Sequence, residues 1–141
     1  MTLALGVAAV SLLVIFSLLP IGLETNRQSV EQTASVNILS AVAADLRATP
    51  RGVGTSSQFN ISIPSNPIIG STAVATIYFD GAGQVVLSGS TARYRITVTF
   101  FDNGNGARTA TFAGLKATWP ATAAITDAQG SAEMFAAFDR N

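Results

Sequence analysis

The feature that most constrains this chain is its first 23 residues, MTLALGVAAVSLLVIFSLLPIGL, in which no side chain is charged and yet Pro20 and Gly22 fall inside the apolar run. Leu3, Leu5, Val7, Val10, Leu12, Leu13, Ile15, Phe16 and Leu19 recur on every side instead of along one stripe, the pattern of a helix surrounded by apolar matter. As a helix the segment reaches roughly 35 Å, enough to cross a bilayer core of about 30 Å. A cleaved secretory signal fits poorly, because no basic stretch precedes the apolar run and no small-x-small site closes it. Residues 1–23 therefore read as an assembly or transmembrane helix, with those nine side chains as its packing surface. Pro20 cannot donate to the Phe16 carbonyl and Gly22 loosens the same turn, which predicts a helix break or kink at that point.

Beyond Leu23 the texture changes. In ETNRQSVEQTASVNILSAVAADLRATP, Val30, Ala34, Ile38, Ala41, Val42 and Leu46 recur at steps of three and four, predicting an amphipathic helix over 24–50. Glu24, Arg27 and Glu31 lie three and four apart, within reach of one another on its wet face. Thr49-Pro50-Arg51-Gly52 stops it, since the residue before a proline is pushed out of the α region.

Residues 51–141 read as an antiparallel β-sheet domain, giving an α+β chain overall. VGTSSQ is a loop and FNISIP a short strand ended by Pro64. STAVATIYF and QVVLSG flank Asp80-Gly81-Ala82-Gly83, a tight hairpin. RYRITVTFF alternates, with Tyr94, Ile96, Val98 and Phe100 on a buried face and Arg93 and Arg95 on a wet one. A second hairpin through Asp102–Gly106 leads to ARTATFAGLKATWP, where the apolar phase passes from Ala110 and Phe112 to Leu115, Ala117 and Trp119; this predicts a β-bulge at Gly114. The tail SAEMFAAFDRN reads as a last strand with Met134, Ala136 and Phe138 inward, in preference to a short helix. The helix stripe Val30, Ile38, Val42 and Leu46 is expected to pack under Tyr94, Ile96, Val98, Phe100 and Trp119.

Composition narrows function. Eight basic and eight acidic residues balance to zero, which disfavours nucleic acid as a main ligand. The chain has no histidine and no cysteine, so the usual proton shuttle, thiol nucleophile and zinc ligands are missing. Apart from Glu24, Glu31 and Asp45 along the helix, no pair of carboxylates shares an element, and no serine has a candidate base. The reading is a non-enzyme without metal or cofactor. The Asp102 loop offers one carboxylate and lacks the closing glutamate of a calcium loop; Asn60-Ile61-Ser62 matches a glycosylation acceptor, a triplet that also arises by chance.

The arrangement of a long helix, apolar then amphipathic, followed by a small antiparallel sheet resembles the type IV pilin and pseudopilin family over the whole chain. MTLALGVAAVSLLVIFSLLP looks like a mature pilin N-terminus. EQTA, ADLRATP, YRITVTF, TWP and FDRN are more narrowly similar to prepilin-like cassette proteins of the Verru_Chthon type. Two departures stand out. The glutamate that the family carries at its fifth mature position is Leu5 here, so the mature protein begins elsewhere or docks without that carboxylate; and there is no disulfide-closed C-terminal loop. The resemblance implies a subunit anchored in the inner membrane, extracted by an assembly platform and an ATPase, and polymerised through its helix into a homo-oligomeric extracellular filament on the cell surface. It equally admits a minor pseudopilin of a type II secretion-like apparatus, and the sequence itself admits a single-span, membrane-anchored adhesion module.

Overall fold

In the computed structural model, which describes residues 2–65, 68, 69, 74–103 and 110–139, the chain divides into two compact units, Met1–Thr33 and Ala34–Asn141. Its elements are one helix, α1 (Thr2–Ala48), and five strands, β1 (Val74–Phe79), β2 (Val85–Val86), β3 (Tyr94–Phe100), β4 (Thr111–Trp119) and β5 (Gly130–Phe138), with a 3-10 turn at Ile125–Asp127. The strands form one antiparallel sheet in the order β2-β1-β3-β4-β5. This is the α+β, pilin-like architecture of a long N-terminal helix with a small antiparallel sheet.

In the second unit, the end of α1 buries Ser35, Ile38, Leu39, Val42, Ala43 and Leu46, a stripe stepping by three and four. These side chains share a core with Tyr94, Ile96, Val98 and Phe100 of β3, with Ala113, Leu115, Ala117 and Trp119 of β4, and with Ala136 and Phe138 of β5. Val30 is not part of it. It is 61% exposed, because it stands one residue, about 100° of helix rotation, off the line that Ser35 and Leu39 continue. Ala41 is exposed for the same reason.

The helix ends where Thr49 donates both its N–H and its hydroxyl to the Asp45 carbonyl, at 3.1 and 2.8 Å. FNISIP is not a strand. Thr55 and Ser62 make a single antiparallel bridge, and Ser56 and Ile61 close a tight loop through Ser56 N–H to Ile61 O (2.9 Å) and Ile61 N–H to Ser56 Oγ (3.0 Å). In the first hairpin, the Asp80 carboxylate accepts from the N–H groups of Ala82 and Gln84, both at 2.9 Å, and Gly83 takes φ 78°. Residues 104–109 of the second hairpin lie outside the described residues.

The bulge expected at Gly114 is absent. The β3–β4 pairing runs without a skipped residue from Arg95↔Thr118 to Phe100↔Ala113, and β4–β5 from Thr111↔Phe138 to Trp119↔Gly130. Thr111, Ala113, Leu115, Ala117 and Trp119 all face inward, while Phe112 points out. The apolar phase misleads here because the large Phe112 is exposed on the outer face, while the small Thr111 and Ala113 fill the inner positions. In this single copy, helical structure runs unbroken through Pro20 and Gly22; the kink or unwinding expected there is a property of the assembled helices. One missing N–H costs a single backbone hydrogen bond, and the ladder continues on both sides.

Candidate functional site

The first candidate surface is the uncharged start of α1. Leu5, Val7, Val10, Leu12, Leu13, Ile15, Phe16 and Leu19 are all exposed, from 51% at Leu19 to 75% at Leu5. The side chain of Leu3 lies outside the described residues. No large apolar residue between Leu5 and Leu23 is covered, against the expectation that exposed apolar patches on a soluble monomer stay within a few hundred Å². The helix is long and apolar enough to cross a membrane.

Its few polar groups are turned inward on the helix itself. Ser11 Oγ donates to the Val7 carbonyl (2.9 Å), Ser17 Oγ to the Val14 carbonyl (2.8 Å) and Thr25 Oγ1 to the Ile21 carbonyl (2.9 Å). Such back-bonding hides a hydroxyl from an apolar medium. Ser17 therefore serves Val14 and not the carbonyl of Phe16 that Pro20 leaves without its donor. Beside Gly22, the missing side chain opens a shallow apolar depression of about 360 Å³ lined by Ile15, Leu18, Leu19 and Leu23. The first ion pair of the chain follows, Arg27 Nε to Glu31 Oε1 at 3.3 Å.

No family model, curated protein or solved structure matches the chain.

The second unit carries two features that the sequence did not announce. Asp45 is 5% exposed, and its carboxylate accepts the N–H groups of Gln58 and Phe59, both at 3.0 Å, and the Ser57 hydroxyl at 3.4 Å. Burial pushes its pKa up, but these donors together with Ser56 outweigh burial and hold the carboxyl below its ordinary value. Asp45 thus pins the loop after α1 to the helix. A carboxylate one residue before the buried Leu46 signals this only if the donors across the turn are known.

The other feature is the outer face of the sheet. Gly114 leaves a floor over which the rings of Phe101 and Phe135 lie, 6.1 Å between centroids and tilted by 30°. A Cβ on Gly114 would come within 3.0 Å of the Phe101 ring. Thr99, Lys116, Glu133 and Met134 complete a groove of about 250 Å³, and Lys116 Nζ meets Glu133 Oε1 at 2.7 Å across it. Arg95 does more than keep that face wet: its guanidinium donates to the carbonyls of Ala121 and Ala123, tying down the segment after β4. Among the described residues no group of three or more His, Cys, Asp or Glu side chains is placed to hold a metal ion.

Proposed function

We propose that this chain is a structural subunit of a type IV pilus-like filament, held in the inner membrane by residues 1–23 and polymerised through the same residues. One observation carries the reading: an uncharged helical surface exposed all round belongs to the same chain as a folded domain with an ordinary buried core. Burying such side chains from water is worth about 2 kcal/mol each, but lipid already provides that burial, so moving the helix from bilayer to bundle is nearly neutral. Assembly then needs an energy-driven platform, and small residues such as Gly6, Ala8, Ala9 and Ser11 let the helices approach closely. Pro20 and Gly22 are the point where the helix unwinds on assembly, since the hydrogen bond missing there makes it the cheapest place to open.

Electron microscopy of fibres sheared from the cell surface, with mass spectrometry of their subunit, tests the proposal. Fibres built of this chain support it; a chain that stays in the membrane fraction and partitions into detergent micelles, with no fibre, indicates a single-span anchor for the sheet domain.

A further inference from the structure

The two edges of the sheet are built differently. On one side β2 has only two residues, a short edge of the kind that resists pairing. On the other, β5 runs for nine residues without a proline, a lysine or a bulge, and among the described residues it pairs with β4 alone. Phe101 N–H bonds the Phe112 carbonyl at 3.0 Å, in line with the β3–β4 register. Antiparallel pairs alternate, so the even residues of β4 bond toward β3 and the odd ones toward β5. By the same alternation, Ser131, Glu133, Phe135 and Ala137 present their N–H and C=O groups to the free edge, and all four residues are exposed. Phe135 is 73% exposed there, although it belongs to an aromatic cluster. Ala132 and Met134, on the inner face, are only partly buried at the rim of the core.

We propose that β5 is a self-pairing edge: two copies of this chain join antiparallel through β5 about a two-fold axis at Phe135, making one continuous sheet. The occupant follows from the strand's own residues. Centred on Phe135, the pairing sets Phe135 against its counterpart, Glu133 against Ala137 and Ser131 against Asp139 on the outer face, and Met134 against Ala136 and Ala132 against Phe138 on the inner one. Aromatic meets aromatic, large meets small, and no like charges face each other, the conditions for favourable cross-strand pairs. Neighbouring symmetric registers are poorer. A centre at Glu133 opposes two carboxylates, one at Met134 sets Glu133 against Phe135, and one at Ala136 sets Phe135 against Ala137 and so separates the rings. The chosen register extends the Phe101–Phe135 row into four rings and covers Met134 and Ala132. It concerns the folded domain and is independent of the filament reading.

The chain has no cysteine, so single introduced cysteines report the contact cleanly. With the full-length protein in detergent micelles under mild oxidation, Phe135→Cys is expected to give a disulfide-linked dimer far faster than Ser131→Cys or Leu87→Cys, the last being a fully exposed residue beside the opposite edge. A mixture of Glu133→Cys and Ala137→Cys is expected to cross-link as well. Phe135→Lys, which opposes two ammonium groups at the axis, weakens the dimer by roughly tenfold or more in sedimentation. Equal cross-linking rates at the three positions, or Ser131→Cys as the fastest, overturn the proposal. Fibres that persist when β5 cross-linking fails leave the filament reading intact, and dimers without fibres leave this one intact.

Discussion

Asp45 shows how one buried charge can organise a turn. Its lowered pKa means that the folded state holds the carboxylate more tightly ionised than the unfolded chain does, whose aspartates titrate near pH 3.9. The resulting stability is present above that value and lost as pH falls through the folded pKa. Acid unfolding of the wild-type protein is therefore expected to include a component below about pH 4 that Asp45→Asn removes, read by circular dichroism against pH. At neutral pH, Asp45→Ala leaves the Gln58 and Phe59 N–H groups without an acceptor and is expected to cost about 1–3 kcal/mol in a denaturant melt. Gly130 makes a second point at this scale. It faces Trp119 across the β4–β5 ladder, and a Cβ there would collide with the indole ring. Gly130→Ala is expected to destabilise the domain by about 1–3 kcal/mol, with Trp119 fluorescence reporting the displaced ring. Neither residue was legible beforehand. Asp45 sits in an amphipathic pattern where a carboxylate reads as solvated, and Gly130 reads as a turn residue until its partner across the ladder is known.

Among the elements, alternation made β3 readable: RYRITVTF places Tyr94, Ile96, Val98 and Phe100 inward, and all four are buried. The tail yielded to the same rule, since Met134, Ala136 and Phe138 lie on the inner side of β5. The rule failed on β4, where an exposed Phe112 beside the small inward Thr111 and Ala113 mimics a change of phase. Period alone cannot separate a bulge from an apolar patch on the outer face. The helix stripe was right in spacing and wrong in its start, because Val30 is apolar yet off the line of Ser35 and Leu39, and because Ser35 is a polar residue in a core position. At Pro20, the local cost of a missing hydrogen bond argues for a kink or an extended stretch in the assembled state, while in the single copy the helix continues through it. If this turn opens only on assembly, the double variant Pro20→Ala, Gly22→Ala is expected to leave the melt of the folded domain unchanged and to impair fibre formation and extensibility, scored by electron microscopy and single-fibre stretching. Fibres of normal yield and extensibility from that variant would show that the turn has no role in assembly.

For the whole molecule, two dissimilar surfaces stand out: an uncharged helix that needs lipid or other helices, and a sheet with one blunt and one open edge. Removing residues 1–23 is expected to abolish both membrane association and fibres while leaving a soluble, cooperatively folding protein, measured by flotation, electron microscopy and a thermal melt. Fibres formed by the truncated chain would sink the filament proposal. Composition pointed to the first surface plainly, since 23 residues without a charge admit few environments. The open edge was invisible in sequence, because strand order depends on which hairpins stack and not on any property of β5 itself.

The back-bonded hydroxyls of Ser11, Ser17 and Thr25 have a consequence for mechanics. With its own carbonyls absorbing those three donors, the apolar shaft offers a neighbour no grip through these hydroxyls. A bundle of such shafts would be held by the fit of side chains and not by these hydroxyls, so that slip costs it contact area instead of broken bonds. In the proposed filament, pitch would then rest on side-chain fit along the shafts and on contacts between the folded domains.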